Sequence, residues 1–217
     1  MPNIRKTTVQ RILKLLTCVL IVKVTVSVIL IYRDYLPPNF ESDFLRGRQS
    51  YFSGSYQWAF YTHIVSGPCS LFLGMILLNE RFRREYLPWH RRLGRIQVAC
   101  VLLLTTPSGL WMARYAETGA VAGLGFASLA IATAVCVACG WRAAVTRQLG
   151  AHRRWMIRCY VLLCSAVVLR LIAGLATVTG SEAVWLYPLS AWVSWLLPLA
   201  VFELSQGRHR FRHFQRP

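Results

Sequence analysis

The chain has 217 residues, of which 55% are hydrophobic and 15% charged, and its mean hydropathy is +0.42. An ordinary soluble domain carries about 25% charged residues; this composition is too apolar for a disordered chain, and its apolar runs of about 20 residues argue against a conventional soluble enzyme. Its 25 basic and 8 acidic residues give a formal charge of +17, which needs a partner or a place.

Six apolar stretches predict an all-α polytopic membrane protein: 12–32, 57–79, 96–115, 120–141, 155–177 and 184–204. Each reaches the roughly 20 residues that a helix needs to cross a ~30 Å hydrocarbon core. The first contains Lys14 and Lys23 and runs into Tyr32-Arg33-Asp34-Tyr35 without a small-residue cleavage site, so it reads as a retained helix. The outer loop 33–56 turns at Pro37-Pro38-Asn39. Tyr51, Tyr56 and Trp58 follow where the second helix begins, and Trp89, Trp155, Trp185 and Tyr187 mark other boundaries as an aromatic belt. The organisation expected is a first helix with its outer loop (1–56), a five-helix membrane core (57–206) and a basic tail (207–217).

The basic residues have a sided distribution. The N-terminus, loop 80–95, loop 142–158 and the tail hold 18 Lys/Arg, whereas the loops on the other side hold 4. By the positive-inside rule both termini are cytoplasmic, in a multi-pass protein of the cell (inner) membrane. The same charge fits anionic lipid on the cytoplasmic face. With no separate basic domain to carry it, nucleic acid is not the expected partner.

Two constellations stand out. His90-Arg91-Arg92 and His152-Arg153-Arg154 each precede a rising helix, one hairpin apart in sequence. That places His90 and His152 at equal depth on two parallel helices, the third and the fifth. A b-type haem takes two axial nitrogens from such positions, and Arg91, Arg92, Arg153 and Arg154 offer charge-assisted partners to its propionates. The simpler reading is that His-Arg-Arg at a cytoplasmic helix start serves topology and lipid phosphates. The second constellation is His63 with Arg170. One helix descends and the other ascends, and the count puts both side chains about 9–10 Å below the outer surface. A cation there needs a partner or a cavity, so the two residues predict an outward polar pocket. Thr105-Thr106-Pro107-Ser108-Gly109 lies mid-span in the third helix, where a kink frees carbonyls. Glu203 can pair with Arg95 or Arg158. Cys136-x-x-Cys139 beside Gly140 reads as a small-residue packing face. Phosphate-loop, zinc-protease and nucleophile-elbow motifs are absent.

Thr62-His63-x-x-x-Gly67-Pro68, His90-Arg91-Arg92-Leu93-Gly94-Arg95, Ser108-Gly109-Leu110, His152-Arg153-Arg154-Trp155-Met156-Ile157-Arg158 and Leu169-Arg170-Leu171 together resemble the bacterial membrane-protein family called domain of unknown function 2306. The resemblance covers about 57–206 and implies architecture rather than chemistry. More distantly, His90-x-x-Leu93-Gly94, His152 and His63 are similar to the two-haem, ascorbate-reducible b-type cytochromes and the ferric reductase group. Those carry histidines on four consecutive helices; here the fourth helix has none, so the resemblance implies one complete ligand pair. Two functions follow. One is single-haem transmembrane electron transfer, with a quinol or small redox partner at the His63/Arg170 pocket. The other is a non-redox membrane protein, a small-solute carrier or accessory subunit, with helix breaks at Pro68, Pro107 and Pro198.

The orientation has a direct test. Ser42→Cys and Gln206→Cys, on a background without the native cysteines, are treated with an impermeant thiol reagent in intact cells. Position 42 is expected to label and position 206 to stay protected; the reverse pattern overturns the orientation.

Overall fold

The computed structural model describes residues 2–181 and 183–214, and the side chains of 12–181 and 183–207. The terminal cations Arg5, Lys6, Arg11, Arg208, Arg210, Arg212 and Arg216, which entered the charge asymmetry, lie outside the described side chains. Among the described residues all regular structure is helical. Six helices are long and apolar enough to cross a membrane: Ile12–Tyr35, Ser55–Leu77, Leu87–Ala113, Ala120–Val145, Leu149–Thr179 and Leu186–Gly207. The chain forms two compact units, residues 1–53 and 54–217.

The first unit contains α1 (Pro2–Ile31), a tight turn over Tyr32–Tyr35 and the short α2 (Gln49–Phe52). Its loop is not featureless. Leu45 and Phe52 are buried, and Phe40 meets Phe52 edge-on at 5.4 Å between centroids. Arg48 is buried too, which is tolerable because its Nη1 donates to the Tyr51 hydroxyl (3.1 Å) and its guanidinium lies 4.6 Å from the Phe44 ring centre.

The second unit holds α3 (Ser55–Leu77), α4 (Glu80–Glu85), α5 (Leu87–Ala99), α6 (Thr106–Ala113), α7 (Ala120–Val145), α8 (Leu149–Leu163), α9 (Ser165–Thr179) and α10 (Leu186–Phe214). A π-helical stretch, Cys100–Thr105, joins α5 to α6 into one span, the third. The fifth span is α8 and α9, interrupted for one residue at Cys164.

Two boundaries differ from the hydrophobic reading. The third span starts at Leu87, not 96, and the fifth at Leu149, not 155. His90 and His152 therefore lie inside helices rather than in the loops before them. The helix outlasts the apolar run because Arg and Leu are good helix formers, and Pro88 is tolerated in the first turn where no intrahelical donor is needed. Before it, Asn79 caps α4, its Oδ1 accepting from the Arg81 and Phe82 amides at 2.9 and 3.3 Å. Tyr56, expected in the interfacial belt, is instead buried edge-on against Tyr115 at 5.1 Å; Trp58, Trp89 and Trp185 remain exposed.

Four spans close a ring. α3 packs on the third span, the third span on α7, α7 on α8, and α8 back on α3. The third and fifth spans thus stand on one diagonal, α3 and α7 on the other. α10 lies outside the ring against α7 and α8. The core is Val101, Cys136, Val137, Cys159, Leu162 and Trp195, drawn from the third span, α7, α8 and α10. Cys136 of the C-x-x-C is one of these core residues; among the described residues the cysteines are free thiols.

Without a hydrophobic force between helices in lipid, close approach comes from small residues. A Cβ on Gly74 would lie 2.6 Å from the Tyr160 ring, which cannot yield without moving α8. On Gly174 it would meet nothing within 4 Å. Gly74→Ala is therefore expected to cost about 1–3 kcal/mol, several degrees of melting temperature in detergent. Gly174→Ala should be neutral. Equal melting temperatures for the two variants would contradict the packing described.

Candidate functional site

The sequence-predicted residues fall into two regions, one at each end of the ring. At the end where α3 and α7 finish and the third and fifth spans begin, the basic residues gather. Arg153 of α8 pairs with Glu80 of α4. Arg158 forms a two-pronged bridge to Glu203 of α10, Nε–Oε1 at 2.5 Å and Nη2–Oε2 at 2.9 Å, and stacks on Trp155 at 4.8 Å. Of the two partners expected for Glu203, Arg158 is the one used. Arg92 stacks on Trp89 at 5.5 Å. Arg91, Arg92, Arg153 and Arg154 are all exposed.

Between these arginines, the two histidines sit half-buried on the ring's third–fifth diagonal. They are close enough to interact electrostatically. The His152 Nδ1 is 2.9 Å from the Gly140 carbonyl, where only Nδ1–H can be the donor, because a carbonyl is an acceptor only. That fixes the tautomer and leaves Nε2 as the lone pair, which is how second-shell carbonyls orient metal-ligating histidines. The His90 Nδ1 is buried and has no hydrogen-bond partner among the described residues. The two imidazoles, one oriented by the Gly140 carbonyl and one with an unpartnered Nδ1, thus lie within electrostatic reach of each other across the ring. The propionate partners fit less well: Arg153 is engaged by Glu80 and Arg92 lies over Trp89, leaving Arg91 and Arg154. No group of three or more His, Cys, Asp or Glu capable of holding a metal occurs among the described residues.

The second region corrects the expected meeting of His63 with Arg170. The two side chains turn different ways. His63 points into the ring: its Nδ1 is 3.1 Å from the Ser108 hydroxyl. Arg170 is exposed on α9, which packs against α10 and α8. The cause is the interruption at Cys164, beyond which the fifth span leaves α3 for α10. A helix count gives depth, whereas direction depends on packing.

What the His63 side has instead is a polar seam between α3 and the third span. Ser108 donates to the Leu104 carbonyl at 2.6 Å and to that of Thr105 at 3.1 Å. Ser70 of α3 meets Thr105 hydroxyl to hydroxyl at 3.2 Å and donates to the Cys100 sulfur at 3.3 Å. Gln97 donates from Nε2 to the Ser70 carbonyl at 2.9 Å. Sequence reading singled out Thr105 and Ser108 but passed over Ser66, Ser70 and Gln97. The signal was present: His63, Ser66, Ser70 and Gly74 recur at the three- and four-residue spacing of one helix face.

The π-helical stretch is what opens the third span here. Pro107 has no N–H and its ring crowds the preceding turn. The backbone widens ahead of it, with the Thr106 amide bonding back to the Val101 carbonyl. Gly109 then gives the His63 ring its room, since a Cβ there would lie 3.2 Å from the ring's Cε1.

The family described as predicted membrane protein DUF2306 matches residues 60–205, and the chain belongs to it. No curated protein and no solved structure matches the chain. It is an integral membrane protein by family and by its six candidate spans.

Proposed function

We propose that the protein carries one b-type haem between His90 and His152 and passes single electrons through it. One observation carries this reading: two histidines, far apart in sequence, stand on one diagonal of the helix ring within electrostatic reach of each other. One of them has its tautomer fixed by the Gly140 carbonyl, and the other has a buried nitrogen without a partner. Haem bound there supplies one-electron chemistry; the chain's own part is to present the imidazoles and to supply Arg91 and Arg154 to the propionates. The other diagonal offers His63 on α3 and no histidine on α7, which is why one haem and not two is proposed. The likeness to the b-type cytochromes rests on these histidines alone. A quinol or another small one-electron donor is the class of partner such a centre needs, and anionic lipid is the expected neighbour of the exposed arginines at this end.

The alternative, a small-solute carrier, draws on broken helices near the membrane midplane. Of the three proline positions expected to break helices, only Pro107 has irregular backbone beside it; α3 and α10 continue through Pro68 and Pro198. That favours the redox reading.

Purified protein made with ample haem supply should be red, with a low-spin b spectrum that changes on reduction by dithionite. His90→Ala and His152→Ala should each abolish it, because a single ligand leaves the iron five-coordinate or lost. Replacing His209 and His213 in the tail should leave it unchanged. A colourless wild-type protein would remove the proposal.

A further inference from the structure

We infer that the exposed face of α9 around Arg170 is a docking surface for a transmembrane helix of another protein, one that carries an aspartate or glutamate near the middle of the membrane. The inference goes beyond the haem reading and does not rest on it.

Arg170 is the only charged residue between Cys159 and Thr179. That stretch has the length, about 20 residues, that crosses the hydrocarbon core. Arg170 stands near its middle, about 14 Å of helical rise from the end of the span at Thr179. The arginines that snorkel to an interface lie near helix ends, and Arg170 is more than two turns from one. A cation at such a position ordinarily faces the interior of a bundle and pairs there, because leaving it in hydrocarbon is costly. Arg170 does neither. It is exposed on α9 and has no hydrogen bond, ion pair or aromatic contact among the described residues. Arg158 of the same span shows the contrast, held by Glu203 and lying over Trp155.

The chain does not supply the missing group. None of its eight acidic residues lies in the middle of a span. Asp34 is in the last turn of the first span, and Glu203, near the end of the sixth, is taken by Arg158. The first span brings Lys14 and Lys23, and a second copy of the chain brings a second Arg170, all of the same sign. A lipid phosphate sits at the edge of the ~30 Å hydrocarbon core, not in its middle. What complements the guanidinium is a carboxylate held at the same depth, which accepts its two parallel N–H bonds. A second transmembrane helix carries such a group in a fixed position.

The rest of the face is shaped for a helix. Ala166, Arg170, Ala173, Gly174 and Thr177 fall on one side of α9, within an arc of about 100°, and all five are exposed. Ser165, Ile172 and Ala176, buried or half-buried, lie on the other side, where α9 meets the bundle. The four neighbours of Arg170 on its face are small. The Thr177 hydroxyl is spent within the helix, donating to the Ala173 carbonyl at 3.1 Å. A Cβ on Gly174 would meet nothing within 4 Å, so the space above it is open. Small residues are what lets two helix backbones approach in lipid. Here they surround a cation that calls for such an approach.

The test uses the full chain in lipid vesicles, with a synthetic single-span peptide as the probe. The peptide is a Leu/Ala helix without tryptophan, with Gly-x-x-x-Gly on one face and a single Glu at its middle. It bears a dansyl group that accepts energy from the protein's tryptophans. It should associate with the wild-type chain several-fold more tightly than the same peptide with Gln in place of Glu. Arg170→Leu should abolish that preference, and Gly174→Leu should weaken association of the Glu peptide by filling the face. The Glu–Gln comparison changes nothing in the protein, so it decides the matter even where a variant fails to fold. Equal association of the two peptides with the wild-type chain would overturn the proposal. Self-association of the wild-type chain that Gly174→Leu removes would also overturn it, with a second copy as the occupant. So would an Arg170 guanidinium in contact with lipid phosphorus, read by carbon–phosphorus solid-state NMR, which would make it a snorkelling residue. None of these readouts involves haem, so the spectral test above stands or falls separately.

Discussion

A missing N–H at Pro107 is the constraint from which much of this structure follows. In hydrocarbon no water is at hand to satisfy a freed carbonyl, so the protein must do it internally. Here the backbone widens into the π-helical stretch Cys100–Thr105, and one residue past the proline the Ser108 hydroxyl bonds back over one turn to the Leu104 and Thr105 carbonyls, as helical serines do, rather than to the carbonyl the proline frees. With its hydrogen spent, Ser108 becomes an acceptor for His63, and the widened turn brings Thr105 and Cys100 against Ser70. One proline thus organises a polar seam that the apolar composition around it would not suggest.

The ring of four spans gives that seam its context. Its two diagonals are chemically unequal. The third–fifth diagonal carries His90 and His152 within electrostatic reach at the basic end, whereas the other has only His63, which is occupied with Ser108. The glycines that allow close approach serve the same arrangement: Gly140 lies under Met156 and lends its carbonyl to His152, and Gly74 admits Tyr160. Packing and site are therefore not separable here. The helix contact that closes the ring between α7 and α8 is also the contact that orients an imidazole.

How much of this was legible in the sequence depends on which coordinate is asked for. Position along the chain was legible, because it needs only counting: all six spans were found. The starts of the third and fifth spans were missed by nine and six residues, since hydropathy marks where lipid ends and not where the helix ends. Direction around the helix was not legible. It placed Arg170 with His63, whereas the interruption at Cys164, with no proline or glycine to announce it, turns that half of the span toward α10. The seam was half legible: Thr105 and Ser108 stood out beside Pro107, but Ser66, Ser70 and Gln97 become informative only once α3 faces the third span.

Whether Ser108 accepts a hydrogen bond from His63 is the most direct question the seam poses. Nitrogen-15 solid-state NMR of the His63 ring in lipid bilayers reads which ring nitrogen carries the hydrogen. With the Ser108 hydrogen on the Leu104 and Thr105 carbonyls, the His63 hydrogen should be on Nδ1, and Ser108→Ala should remove that preference. A hydrogen on Nε2, unchanged in Ser108→Ala, would contradict the seam described.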